Sequence, residues 1–267
     1  MNNISLLLLG VTNDNNFIDF KTYNLDKTYL MISRYNKSAQ RVGRCIMVLT
    51  DIEFLINFLE ERHVPVITKK KHTYLTYHGL EERYTYILKK GVIKNSIILQ
   101  DGREFNLSYI TQPDVISLLR DEISKYTDQP FNVRVETEEA TFYQIDRVTF
   151  WNYVNATPEL QNYVKNYYRK KLSENIYRLQ KMIMNGKNGG LCAFLYSLID
   201  LFGKKRRDGI LIDFVITNED IAGFCGISSR SSVNRMLNQL KKDGVIETTE
   251  HKFLIKDVSY LLDNIAN

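Results

Sequence analysis

The residues of this chain with the clearest chemical potential are two arginines and several short polar residues at the start of one predicted helix. Arginine can donate two parallel hydrogen bonds to a guanine edge, and Ser or Asn can bond bases or phosphates. The N–H groups at a helix start also bind phosphate well. These properties favour DNA contacts by a set of residues in one short segment: Ser229, Arg230, Ser231, Ser232, Asn234 and Arg235.

The surrounding pattern is typical of a helix-turn-helix. Thr217 can cap a first helix, and Asp220 stands at the capping-box position where Glu or Gln is usual. Gly226 then ends this helix. Ser228 or Ser229 caps a second helix that runs to Lys242 and turns one apolar face inward, formed by Val233, Leu237 and Leu240.

Two alternating segments follow the second helix and predict a hairpin wing. They are residues 245–249 and 253–257. With a wing beside the helix pair, Lys252 and Thr217 would contact the DNA backbone. The alternative is a helical hairpin whose arginines only keep the surface soluble.

Residues 158–184 form the longest predicted helix. Pro158 suits its first turn and Thr157 can cap it. The segment holds six basic and two acidic residues, and its apolar positions repeat at spacings near three and four. We expect a dimer seam; the alternative is a core-facing stripe in a monomer. The seam residues would be Val164, Tyr168, Leu172, Ile176, Leu179 and Ile183.

Between residues 64 and 150 the apolar period changes to two, which indicates an antiparallel barrel or sandwich. Asp101-Gly102 is a strong hairpin signal, and residues 118–126 show a short helical pattern. The predicted strands are 64–68, 74–77, 84–89, 92–99, 105–109, 133–137 and 141–146.

The flanking segments are simpler. Residues 1–46 predict an N-terminal extension of uncertain role, after which Thr50 or Asp51 caps a helix. Beyond the long helix, which should stop at Asn185-Gly186, residues 190–202 predict a buried helix. A basic loop, 204–209, then leads to a strand, 210–216.

Composition narrows the class of protein. A chain of 267 residues with 44% hydrophobic residues can bury a real core, which excludes a mainly disordered protein. The longest early apolar run is too short for a bilayer and lacks the features of a signal peptide, so we expect a cytoplasmic protein with no membrane partner. The net charge of +5 is mild for a protein that binds nucleic acid.

In its order of elements and in three segments the chain resembles the Crp/Fnr family of bacterial transcription regulators. The segments are Tyr77 to Gly91, Leu107 to Ile116 and Thr217 to Ile246. The resemblance implies an α+β fold with an N-terminal antiparallel β-roll, a jelly roll of the cyclic-nucleotide-binding type. A long dimerisation helix and a C-terminal winged helix-turn-helix follow. The implied domains are 1–46 (extension), 47–157 (β-roll sensor), 158–184 (dimerisation helix) and 185–267 (DNA binding).

The resemblance also implies a function. Arg230, Ser231 and Arg235 match the family's three base-reading positions, with Ser231 replacing a frequent Glu. A homodimer would bind an inverted repeat in double-stranded DNA. If the protein activates transcription, it would also contact RNA polymerase.

Residues 185–192 and 208–210 are similar to the Gram-positive branch that contains the listerial virulence activator. Other members hold a cyclic phosphate with a Gly-Glu pair and an Arg-Ser or Arg-Thr pair. At the corresponding places this chain has Val115-Ile116-Ser117-Leu118-Leu119 and Gln129-Pro130-Phe131-Asn132-Val133. We therefore expect no response to cyclic AMP. The branch implies glutathione or another small effector.

No other constellation competes with DNA binding. The four histidines and three cysteines have no metal spacing, and no catalytic motif occurs, so we predict neither a metal site nor an enzyme. Cys192 and Cys225 fit packed positions better than a thiol switch. The main alternative is a small-molecule-binding β-roll protein whose helical tail binds another protein.

Overall fold

A computed structural model describes residues 28–30, 48–184 and 186–265 of the chain. The fold is α+β. A sheet region (residues 66–146) comes first, one long helix follows, and a winged region (residues 186–265) comes last. The predicted extension, 1–46, lies outside the described residues except for 28–30.

A strand pair and a short helix precede the sheet region. β1 (Thr28–Leu30) pairs antiparallel with β2 (Val48–Thr50), and α1 (Asp51–Glu61) follows directly. Thr50 caps α1 and forms a reciprocal capping box with Glu53, which satisfies backbone donors at the helix start. The predicted cap at Thr50 is confirmed.

The sheet region consists of two four-stranded antiparallel sheets with a shared apolar core. The strand orders are β3-β12-β6-β9 and β4-β11-β7-β8, and β5 pairs with β10. All seven predicted strands are present within a few residues of their expected ends. The strands are β3 (Val66–Lys70), β4 (Tyr74–Thr76), β5 (Glu81–Glu82), β6 (Tyr84–Lys90), β7 (Ile93–Ile98), β8 (Glu104–Ile110), β9 (Asp114–Val115), β10 (Thr127–Asp128), β11 (Asn132–Val135) and β12 (Glu139–Asp146).

The hairpin formed by β7 and β8 confirms the Asp101-Gly102 turn. Gly102 has a φ of +80°, a value that glycine adopts without strain. The backbone N–H of Leu99 donates to the carbonyl of Arg103 at 2.8 Å and closes the turn. This hairpin lies against the winged region, as described below.

The predicted helix at 118–126 is wrong. The segment is a series of bends without regular structure. Leu118 is buried, but Leu119 and Ile123 are 69% and 86% exposed, so a helix here would have no continuous apolar face to pack. The Asp121 carboxylate accepts from the N–H groups of Ile123 and Ser124, which replaces helical hydrogen bonds with a local turn.

Two helices follow the sheets. α2 (Arg147–Ala156) is short, and α3 (Pro158–Met184) confirms the predicted long helix. The first third of α3 packs into the core formed by α1 and α2, burying Leu160, Tyr163, Val164 and Tyr167. Asn185, half of the predicted stop, lies outside the described residues; Gly186 has a φ of +57°.

The winged region contains four helices and a four-stranded sheet of order β13-β14-β16-β15. The basic segment predicted as a loop is partly a strand, because residues 203–206 pair with 209–212 across a tight turn. The following strand ends at Ile212, four residues earlier than expected. The elements are α4 (Gly186–Phe202), β13 (Gly203–Arg206), β14 (Gly209–Ile212), α5 (Asn218–Cys225), α6 (Arg230–Lys242), β15 (Ile246–Thr249), β16 (Lys252–Ile255) and α7 (Val258–Asp263).

The winged region shares its core with the sheet region through Tyr109 of β8, and the partly buried Val92 packs against the same core. Tyr109 is buried among Phe202, Phe214 and Phe224, with ring centroids 4.8–5.8 Å apart. None of the helices in the described part has both the length and the apolar character needed to cross a bilayer.

Candidate nucleic-acid interface

α5, a tight turn and α6 form the predicted helix-turn-helix. Thr217 caps α5, and Asp220 completes the capping box that its position predicted. Gly226 ends α5 in the left-handed conformation, with a φ of +63°. Ile227 is buried directly after it and fixes the angle between the two helices.

α6 has one buried and one exposed face. Val233, Leu237 and Leu240 are buried against α4 and α5, in the core of the winged region. The opposite face is exposed along its N-terminal half, where donors to bases or phosphates are concentrated. Its exposed members are Arg230, Ser231, Asn234 and Arg235.

The start of α6 is held by a group of hydroxyls. Ser229 is the N-cap, and its Oγ accepts from the N–H of Ser232 at 3.2 Å. The hydroxyls of Ser231 and Ser232 lie 3.1 and 2.9 Å from the same oxygen. The cap orders the first turn, whose remaining N–H groups have no intrahelical acceptor and suit a phosphate oxygen.

The two arginines differ in their surroundings. Arg230 donates to Glu219 at 3.0 Å, and both side chains are more than half exposed, so the pair is weak and can exchange for DNA. The pair also shows that the starts of α5 and α6 lie side by side, which brings Thr217 near the exposed face. Arg235 has no acidic partner within 4 Å among the described residues.

Lys252 lies on the wing, where its ammonium bonds the Asp213 carboxylate at 2.6 Å. Lys204 bonds the same carboxylate. Hydrogen bonds from the two lysines lower the pKa of Asp213 from 3.8 to about 2. The result is a small cluster with one net positive charge at the base of the wing.

The predicted seam on α3 is divided between two environments. Leu172, Ile176 and Leu179 are about 60% exposed and form an apolar stripe, and Tyr168 is 40% exposed at its start. Val164 instead packs into the chain's own core. Ile183 belongs to the part of α3 whose side chains lie outside the described residues.

Two features were missed from the sequence. Lys94 of β7 is fully buried and bonds Asp220 of α5 at 2.7 Å, a partner 126 positions away. No local pattern could have indicated this pair. Arg178, one of the six basic residues of α3, is partly buried beside the rings of Phe105 and Phe224.

Arg178 borders a cavity of about 340 Å³ between the sheet and winged regions. Burial lowers the pKa of its guanidinium. It donates to the Asn106 carbonyl, and no carboxylate within 4 Å balances its charge in the described part of the chain. The rest of the cavity wall is mainly apolar, with Tyr109, Phe194 and Phe224 among its members, although the acidic residues Glu174 and Asp200 also line it.

Residues 115–119 and 129–133, where the family resemblance places a cyclic-nucleotide cassette, are mainly apolar but include two buried polar side chains, Gln129 and Asn132. Val115, Ile116, Phe131 and Val133 are each less than 10% exposed and belong to the cores of the sheet region. They offer a phosphate neither charge nor hydrogen bonds.

Both described cysteines are thiols without a disulfide partner. Burial raises the pKa of Cys192, and it raises the pKa of Cys225 to about 12. Neither thiol ionises near neutral pH, as expected for packed residues and unlike a reactive sensor.

Residues 191–263 match the family model of the Crp-like helix-turn-helix domain. The lactate racemization regulatory protein of Lactiplantibacillus plantarum is 76% identical over 83% of this chain and 100% of its own length. The listeriolysin regulatory protein of Listeria monocytogenes is 28% identical over 67% of this chain and 76% of its own length.

The fold is also found in a solved structure. The c-di-GMP responsive global regulator CLP of Xanthomonas campestris superposes with a TM-score of 0.66 at 15% identity, covering 76% of this chain and 98% of its own. The relatives are named as regulators, and the helix-turn-helix is a DNA-binding module. With the predicted resemblance confirmed, the chain belongs to the Crp/Fnr family of transcription regulators.

Proposed function

We propose that the protein is a cytoplasmic, homodimeric regulator that recognises an inverted repeat in double-stranded DNA through α6. The observation that carries this proposal is the exposed N-terminal half of α6, where Arg230, Ser231, Asn234 and Arg235 lie opposite a fully packed face. A helix of this kind enters the major groove by its N-terminal end. Ser229 and Ser232 order that end, while Thr217 and Lys252 would contact the backbone.

Dimerisation is supported by α3. An apolar stripe that is about 60% exposed on a monomer is costly in water, and a second α3 would cover it. The two recognition helices would then lie about 34 Å apart, the repeat of one DNA turn. Leu179→Lys should shift the protein to monomers in a sizing experiment, whereas Gln180→Lys, beside the stripe, should not. An unchanged dimer in both variants would exclude this seam.

The name of the Lactiplantibacillus plantarum relative describes regulation of lactate racemization. At 76% identity, genes of the same process are the first targets to test for this chain. If the protein activates them, it also contacts RNA polymerase.

The cavity beside Arg178 supports an effector site between the two regions. A partly buried guanidinium without a carboxylate partner favours a ligand with an acid group, and the aromatic wall favours an apolar body. A small effector other than a cyclic nucleotide fits these conditions, and glutathione is one candidate. Mass spectrometry of small molecules released from the purified protein tests the idea directly.

DNA recognition is tested with the protein's own upstream DNA and a shuffled duplex of equal length. At two salt concentrations, we expect the affinity for both to fall with salt, while the preference for the upstream DNA remains. Equal affinity for both duplexes would contradict the proposal. It would instead favour a small-molecule-binding protein whose winged region binds another protein.

A further inference from the structure

The strongest unassigned feature is an ion pair that joins the sheet region to the winged region. Lys94 of β7 is fully buried, and its Nζ lies 2.9 Å from Oε2 of Glu104 and 2.7 Å from Oδ1 of Asp220. Lys94 and Glu104 belong to the same hairpin, but Asp220 belongs to α5. The ammonium is therefore shared between two regions of the fold.

Asp220 uses its two carboxylate oxygens for different purposes. Oδ2 accepts from the hydroxyl and the N–H of Thr217, which completes the cap of α5. Oδ1 accepts from Lys94. Burial alone would raise the pKa of Asp220, but the charge and hydrogen bonds of Lys94 and Thr217 hold it below its usual value. The start of α5 is thus bound to β7 by an ionised group.

Close packing accompanies the ion pair. The side-chain amide of Asn106 on β8 donates to the backbone carbonyl of Asp220 at 3.1 Å. A Cβ added at Gly223 of α5 would lie 2.6 Å from Nδ2 of Asn106 and 2.7 Å from the carbonyl oxygen of Glu104. Only glycine allows α5 to lie this close to β8.

α6 follows α5 because they share one core. Ile221 and Phe224 of α5 pack in the same cluster as Val233 and Leu237 of α6. Whatever fixes α5 on the hairpin therefore fixes the direction of the recognition helix.

We propose that Lys94 is a positioning residue for DNA recognition: through Asp220 it docks the helix-turn-helix on the β7–β8 hairpin in the orientation that two half-sites require. This inference rests on the proposed function. A helix-turn-helix that is held on the hairpin binds both half-sites without further ordering. One that is loosely held loses conformational entropy when the second half-site binds. The contact should therefore matter for a full inverted repeat and little for a single half-site.

The experiment compares Lys94→Met with Lys71→Met in the full chain. Lys71 also forms an ion pair, with Glu138, but this pair is exposed and lies within the sheet region. We expect Lys94→Met to lower the preference for a full repeat over a half-site by about tenfold, the size of a typical coupling between sites. Lys71→Met should leave the preference unchanged.

Hydrogen exchange provides a readout that needs no DNA. In Lys94→Met, exchange should rise in α5 and the β7–β8 hairpin and stay constant in the strands β6 and β12. Unchanged exchange in α5 would overturn the docking role whether or not the protein binds DNA. Faster exchange with an unchanged or increased preference for the full repeat would overturn the role in DNA recognition.

Gly223→Ala tests the same contact without removing a charge and serves if Lys94→Met does not fold. Alanine favours the helical conformation, so α5 itself is retained, but its Cβ must push α5 away from Asn106. The same rise in exchange and the same loss of preference are expected. A Gly223→Ala protein that matches the unmodified chain in both measurements would contradict the proposal.

Discussion

The exposed face of α6 and the buried contact of α5 differ in how they use their charges. On α6, the side chain of Arg235 is exposed to water, so its charge is available only to a partner outside the chain. On α5, the carboxylate of Asp220 is paired with Lys94 inside the protein, so its charge holds two parts of the fold together. Under the proposed function, the two helices of this motif have different roles: α6 contacts the DNA, and α5 holds α6 in place.

The largest effect is expected from a substitution in the core that α5 and α6 share, because it should disturb both helices. Leu237→Ala removes a buried side chain and should lower the free energy of unfolding by about 2–5 kcal/mol. Both helices should then lose their functions together. Chemical denaturation and DNA titration of the same preparation measure this; Asn238→Ala, next to it and exposed, should change the free energy of unfolding by less than about 0.5 kcal/mol.

The second prediction concerns a substitution on the exposed face of α6. Arg235→Ala should cost about 1–3 kcal/mol of specific DNA binding and relax the choice of base at one position, with thermal unfolding unchanged. Competition among operator variants measures the relaxation. Lys241→Ala, at the far end of α6, is the matched control, and an equal loss of base preference there would assign the effect to charge alone.

The third prediction compares two capping boxes. Thr217→Ala and Thr50→Ala each remove a helix cap and should each lower the free energy of unfolding by about 1 kcal/mol. Only Thr217→Ala also loosens Asp220 and removes a proposed contact to the DNA backbone, so DNA binding should weaken in that variant alone. Calorimetry measures the loss of stability, and DNA titration measures the loss of binding. A similar weakening of DNA binding in Thr50→Ala would show that overall stability, and not the position of α5, governs binding.

The smallest effect concerns the base of the wing. Because the pKa of Asp213 is lowered to about 2, its stabilising contribution is complete above the unfolded-state value of about 3.9 and is lost as the pH falls towards 2. Lys252→Met should raise that pKa, which an NMR titration of the Asp213 carboxyl measures. A pKa that stays near 2 would show that Lys204 alone sets it.

Local patterns made much of the fold predictable. The strands, the long helix and the helix-turn-helix follow from apolar periods, and the caps at Thr50 and Thr217 follow from residue types within three positions. The exposed polar face of α6 was predictable for the same reason. That face is formed by residues close together on one helix, and the family resemblance indicates the same residues.

The errors arose where distant parts of the chain decide the outcome. The apolar pattern at 118–126 predicted a helix, but Leu119 and Ile123 have nothing to pack against. Val164 fits the helical seam by spacing, yet it is buried in the chain's own core with α1 and α2. α7 carried no recognised signal, and the partner of Lys94 stands 126 positions away in the sequence.

The capping position of α5 also limits how freely parts of this protein can be exchanged. Asp220 stands where Glu or Gln is usual, and its short side chain serves the cap and Lys94 at once. In a chimera that joins this winged region to another sheet region, Asp220 stays paired only if the new sheet region supplies a cation where Lys94 lies here. The contacts of Asp220 and Gly223 with the β7–β8 hairpin therefore have to be rebuilt when the two regions are exchanged.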